Sequence, residues 1–483
     1  MTTGATPQIE NLTETLQRHL GLQQAQTFWP EDLVADAIAR LVRRRGNVER
    51  VRRLWDRDRA HELVDGFRPE EHREALDRLR RVLDANLVVQ RQRDGSPKTF
   101  RPFLPELVTN QKIGTVFREL GRTAIDVLWR DDEIKKGIET LVRGWRTRHP
   151  LALALAPLTV GVDEPPSQPS NLAELLREGG DAALKQWGET VVRQDWITWL
   201  RAARGLTVDE QLETMTALVC LHLHVALLSR LASTRPIVFL AVAGQDMDRA
   251  CARSAYNVYG FWGERAYQAL RRVASEAIDR ARMLVPGWES LATIKELAAW
   301  AAVPIKGPRS VNERFHDLVS GAAADPRANA RDALIDALTE AFSTPSGVVT
   351  KVRDFLRGTG RAAGIVGPDA YRARKRYQLD ERAIELLARL HVHRPPDEVA
   401  SAEEERLGID AFLDDLFHRY GFVVTRERGP VRDALRGEGL RPILRLLPGD
   451  EAMRRNRALL ERRFDELRLV RRYSDASAVL HVV

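Results

Sequence analysis

The sequence predicts a mainly α, multidomain protein, with a helical central region carrying one small β element and a helix-plus-hairpin unit at each end. Three observations predict it. The chain is rich in Ala, Leu and Arg while aromatics make up only 6%, a balance that favours helix over sheet. Apolar residues recur at spacings of three and four through most of its length. Only Ile237-Val238-Phe239-Leu240-Ala241-Val242 has the length and β-branching of a buried strand. A chain of 483 residues exceeds what one core holds. The expected units are 1–104, a central region 105–350 with the strand 237–242, a basic glycine-rich linker 351–376, and 377–483.

Taken in order, Pro30-Glu31-Asp32 opens a helix through Leu41. A second helix starts at Pro69 and places Ala75, Leu76, Leu79, Val82 and Leu83 on one face. Leu87-Val88-Val89, the turn Asp94-Gly95-Ser96-Pro97 and Thr99-Phe100 then form a hairpin. The prolines between Glu164 and Ser170 exclude helix and central strand there. Met215 to Leu231 is apolar nearly all round, as a helix buried on every side must be. After the 237–242 strand, a helix begins near Asp246 as N-cap and carries Tyr256, Tyr259, Phe261, Trp262 and Tyr267 among arginines.

The last region has the clearest layout. Helices are expected from Asp380 to Leu390 and from Ile409 to Tyr420, the second ended by Gly421 before a short strand Phe422-Val423-Val424. Asp433 to Leu447 supplies another turn or two. Asp450 then caps a final helix with Met453, Leu460, Phe464 and Leu467 on one stripe, followed by a hairpin from Leu469 to Val483. Helix, strand, turn and strand is the order of a winged helix at this end, and the hairpin around Asp94-Gly95 repeats it near the other.

The net charge of +7 and a pI near 9.6 make a polyanion the first partner to consider, and nearly all the positive charge is Arg, which grips phosphate bidentately. The excess is concentrated after Lys351. The two cysteines, Cys220 and Cys251, exclude a disulfide framework and suit a reducing, cytoplasmic setting. The N-terminus has no secretion signal, and no run reaches membrane-spanning length.

Cys220, His222, His224 and Cys251 are the right residue types for zinc, but no metal-binding spacing joins them, so buried structural roles are expected. Asp246 and Asp248 follow a strand end, where carboxylates can hold Mg²⁺ for DNA processing; a helix cap accounts for them without a ligand. Aromatics interleaved with Arg253, Arg265, Arg271 and Arg272 can stack and clamp a base, or simply form core. The glycines from Gly358 to Gly367 lack the ending of an ATP loop. No catalytic residue, cofactor or metal is assigned.

The phrases Ala383 to Leu390, Phe412 to Leu416 with Tyr420-Gly421-Phe422, and Arg462 to Val483 resemble winged-helix accessory subunits of multigene bacterial DNA-defence and restriction clusters. The resemblance covers about a fifth of the chain. It implies antiviral defence and a protein partner encoded nearby, an ATPase, helicase or nuclease. The expected function is that of a non-catalytic DNA-binding subunit using Arg372, Arg374, Lys375, Arg376, Arg454, Arg455, Arg462, Arg471 and Arg472. The alternatives are a kleisin-like scaffold bridging an SMC-type ATPase complex, and a metal-dependent DNA-processing enzyme using Asp246 and Asp248.

Overall fold

Helices dominate, as the composition predicts. A computed structural model describes residues 30–42, 44–45, 51–56, 71–91, 95–101, 125, 128–155, 162–163, 188–232, 236–284, 309–322, 330–343, 348–370, 373–395, 407–425, 441–472 and 478–482. They contain fourteen α-helices and eleven short strands. The expectations for 164–170, for the first part of Asp433 to Leu447 (433–440) and for the turn at Ser474 lie outside these residues.

The long apolar helix is the axis of the molecule. In chain order α1 is Pro30–Val42, α2 Arg73–Asn86, α3 Asp132–Arg148, α4 Pro150–Leu155, α5 Arg193–Ala202 and α6 Val208–Ala232. A reciprocal cap starts α6: the Thr207 N–H donates to Glu210 Oε2 at 2.8 Å, and the Glu210 N–H donates to Thr207 Oγ1 at 3.3 Å. Residues from Val208 to Leu231 are buried on nearly every face. Contrary to the sequence expectation, α6 is long and apolar enough to cross a bilayer, but 78% of its most apolar stretch is buried inside the protein. Its neighbours are α1, α7 (Arg249–Leu284) and α10 (Val348–Ala362), with α8 (Arg309–Ala322) and α9 (Ala330–Phe342) packed further out.

The expected strand exists as two pieces, β5 (Val238–Phe239) and β6 (Ala241–Val242), and both are wholly buried. β5 pairs in parallel with β9 (Phe422–Val423), β6 pairs in parallel with β8 (Arg376–Leu379), and β7 (Val366–Gly367) adds antiparallel to β8. Parallel partners on both edges and helices on both faces explain why the run is apolar at every position. Both partners, and β7 beyond β8, come from later in the chain, a pairing that periodicity cannot reveal. Gly421 makes one junction possible. It ends α12 (Ile409–Tyr420) at φ +73°, and a Cβ there would lie 1.8 Å from Pro236 O. Only glycine fits such a position.

The segment 351–376, expected as a linker, holds most of α10, then β7 and the start of β8. Val352, Phe355, Leu356, Ile365 and Val366 are core residues. Its glycines serve close packing: Gly364, at φ +73°, lies against the Asp380 carboxylate that caps α11 (Glu381–Val392).

At the C-terminus, α13 (Arg441–Leu444) precedes α14 (Asp450–Glu466), and β10 (Val470–Arg472) pairs antiparallel with β11 (Ala478–Leu480). Met453, Leu460 and Phe464 are buried as their spacing predicts. Gly449, not Asp450, holds the cap position; Asp450 is the first helical residue. Near the N-terminus, β2 (Val88–Arg91) and β3 (Pro97–Phe100) pair antiparallel after α2. The apolar face expected on α2 is divided. Leu76 and Leu83 are buried, whereas Leu79 and Val82 are 40% and 48% exposed. β1 (Arg44–Arg45) pairs with β4 (Val162–Asp163). One apolar cluster runs from Leu33 to Val482.

Candidate nucleic-acid interface

The basic helix α10 has two faces with different tasks. Val352, Phe355, Leu356 and Thr359 are buried, and Arg353, Arg357 and Arg361 are exposed at intervals of four. Four residues advance a helix by about 6 Å, so the three guanidinium groups form one ladder. Arg353 leans on α7, its Nε donating to Gly263 O at 3.4 Å. Arg357 pairs with Asp354 at 2.8 Å and Arg361 with Asp369 at 2.9 Å. From Lys351 to Arg376 the described residues include seven basic (Lys351, Arg353, Arg357, Arg361, Arg374, Lys375, Arg376) and two acidic ones (Asp354, Asp369), so the segment keeps a net positive charge after these pairs form.

The aromatic face of α7 lies along this ladder. Tyr259, partly buried, has its phenol pushed up to about 12 by burial, with Arg357, Asp354 and Arg353 as its charged neighbours. One turn earlier, Tyr256 is 43% exposed, and the Arg374 guanidinium lies 5.8 Å from its ring centroid. Arg265 lies 5.0 Å from the Phe261 ring. Lys375 Nζ donates to Pro368 O at 2.6 Å and Ala370 O at 2.8 Å, so it braces the turn between β7 and β8. Burial, then the nearby Arg361 and Arg357 charges, lower its pKa despite Asp369. Arg376 is partly buried on β8, and burial lowers its pKa.

Of the arginines expected to bind DNA, only Arg374 therefore presents itself fully on this face, with Lys375 and Arg376 behind it. Arg372 and the side chain of Arg472 lie outside the described residues. Arg454 and Arg471 are exposed on α14 and β10. Arg455 pairs with Asp248 at 2.8 Å and with Glu451 at 2.5 Å, and Arg462 pairs with Asp246 at 2.8 Å. Arg353, Arg357 and Arg361 were not singled out from the sequence, although their i, i+4, i+8 spacing between apolar positions was a readable signal.

The other residues of chemical interest are occupied within the fold. Asp248, not Asp246, caps α7, accepting the Ala250 and Cys251 N–H groups at 2.8 and 3.2 Å. Cys251 Sγ donates to Ala452 O at 3.2 Å, and burial pushes its thiol up to about 12. His222 Nε2 lies 3.0 Å from Asp195 Oδ2 in a buried node, which Arg419 at 2.5 Å and the Tyr420 hydroxyl at 2.6 Å complete. Burial alone would raise Asp195; Arg419, His222 and Tyr420 outweigh it and hold the carboxyl low. His224 instead meets Thr359 Oγ1 at 3.0 Å and the Tyr377 hydroxyl at 3.2 Å. Thus the two histidines serve separate networks. Among the described residues, no three His, Cys, Asp or Glu side chains converge as a metal site.

Compared with protein-family models, curated proteins and solved structures, the chain matches none.

Proposed function

We propose that this protein is a non-catalytic DNA-binding accessory subunit that holds the phosphate backbone against the α7–α10 face. The observation that carries this reading is the exposed ladder Arg353, Arg357, Arg361 on α10, with Arg361 and Arg357 near enough to Lys375 to lower its pKa and the adjacent Arg374 beside the exposed Tyr256 ring. Guanidinium groups at a regular rise suit a chain of phosphates better than a single small anion. In the same reading, the helix–hairpin units at the two ends are winged helices, and the C-terminal one adds Arg454 and Arg471. The resemblance of residues 383–390, 412–416, 420–422 and 462–483 supplies the setting, a cytoplasmic antiviral-defence complex with an ATPase, helicase or nuclease as partner. Ion pairing of Asp246 and Asp248 with arginines gives metal-dependent cleavage less support than phosphate binding.

The test is anisotropy of a labelled duplex titrated with the full chain across a salt series. Replacing Arg353, Arg357 and Arg361 by Ala lowers affinity and reduces the salt slope by about 2 to 3, since each phosphate contact contributes about 0.9. A parent protein that binds no DNA at low salt removes the reading.

A further inference from the structure

We infer that the Tyr256 corner of this face is a stacking shelf for an unpaired base, which makes single-stranded nucleic acid the preferred ligand. The inference rests on the proposed phosphate-binding role of the same face and adds what the bases do. Tyr256 is one of four large apolar or aromatic side chains left exposed among the described residues. Its neighbours distinguish it. Arg374 lies near its ring at 5.8 Å, so cation and aromatic plane stand together where a base meets both.

One helical turn further on, Gly260 is exposed, and a Cβ built there has no heavy atom within 4 Å. Glycine in the interior of a long helix lowers its stability, and nothing in the packing requires it here. Its effect is to keep the surface beside Tyr256 shallow enough for a flat ring. The polar ladder then runs the right way for a strand. Arg353 meets Gly263 and Arg357 is a charged neighbour of Tyr259, so α10 runs antiparallel to α7 toward its Tyr256 end, where Arg374, from the segment between β7 and β8, meets the ring. Phosphates lie along α10 while a base turns onto Tyr256. In a duplex the bases are stacked on each other and their faces cannot reach the ring, so only a single strand or an extruded base uses both parts.

The experiment compares three labelled probes of equal length, a thymidine strand, a uridine strand and a DNA duplex, on the full chain and on Tyr256→Ala, Tyr256→Phe and Gly260→Leu. Both changed positions are exposed. Tyr256→Ala and Gly260→Leu are expected to weaken single-strand binding about tenfold, Tyr256→Phe to retain it, and all three to leave duplex binding unchanged. Equal use of both single strands supports a shared base-and-phosphate chemistry, and preference for one assigns DNA or RNA. If Tyr256→Ala and Gly260→Leu bind single strands like the parent, the shelf is overturned while the phosphate-binding reading stands. If the parent binds none of the probes, both fall.

Discussion

The side-chain amide of Asn456 stands in for a missing strand residue beside Val242. Its Oδ1 accepts the Val242 N–H at 2.8 Å, and its Nδ2 donates to Leu240 O at 3.0 Å and Val424 O at 3.1 Å. β9 ends at Val423 while β6 continues to Val242, so without Asn456 these backbone groups would be buried and unpaired. A side-chain amide has the donors and acceptor of a peptide unit, and α14 carries it into the core between Met453 and Leu460. The C-terminal helix is thereby tied to the central strand by specific polar contacts as well as apolar ones.

Replacing Asn456 by Ala orphans one buried N–H and two carbonyls. The expected loss is about 3 kcal/mol, and Asn456→Leu fares no better because shape does not restore the hydrogen bonds. Urea denaturation followed by circular dichroism measures it. An unchanged midpoint in both variants would show that solvent or backbone movement satisfies the strand end.

His224 makes stability sensitive to mild acid. Burial lowers its pKa from 6.5 to about 3, so the folded chain stays neutral there where the unfolded chain takes up a proton. That contribution is complete above pH 6.5 and is lost as pH falls toward 3. Between pH 7 and pH 5 this one group is expected to remove about 2 kcal/mol of stability. His224→Gln, less stable at pH 7, should show a correspondingly smaller change over the same interval. Denaturation midpoints of parent and variant at the two pH values check this, and parallel losses would count against His224 as the source.

Arg462 and Arg455 meet Asp246 and Asp248, the acidic residues of the turn after β6. The Arg462–Asp246 pair is largely exposed, so its contribution to folding is small, but a phosphate must displace the carboxylates to use these guanidinium groups. Asp246→Ala is therefore expected to leave the melting temperature nearly unchanged while raising affinity for a DNA duplex several-fold at low salt. It should also steepen the salt dependence. Affinity equal to the parent's across the salt series would show that α14 does not contact the ligand.

Much of the helical frame was readable because its signals are local. The Gly421 stop after Tyr420, the 453/460/464 stripe and the apolar girdle of α6 all depend on residues within a turn or two. The strand 237–242 was readable from its branching. Its partners were not, because nothing near Val238 specifies Phe422, or near Ala241 specifies Gln378. The glycines of 358–367 suggested mobility, yet the apolar residues between them are packed, and composition does not distinguish a hinge from a close approach.

For the candidate site the division is sharper. The sequence by itself determined that the chain is mainly α, that Arg outweighs acid after Lys351, and that aromatics and arginines alternate near residue 260, since composition and short-range spacing carry these properties. Only the tertiary structure decided which charges are occupied and which are presented. Arg455 and Arg462 look as available in the sequence as Arg374, but the first two meet carboxylates from the turn after β6, as Arg357 and Arg361 meet Asp354 and Asp369, whereas Arg374 meets an exposed ring. The physical reason is that an ion pair or a cation–π contact forms across a few ångströms of space, and the packing of α7, α10 and α14 around the central strand sets those separations.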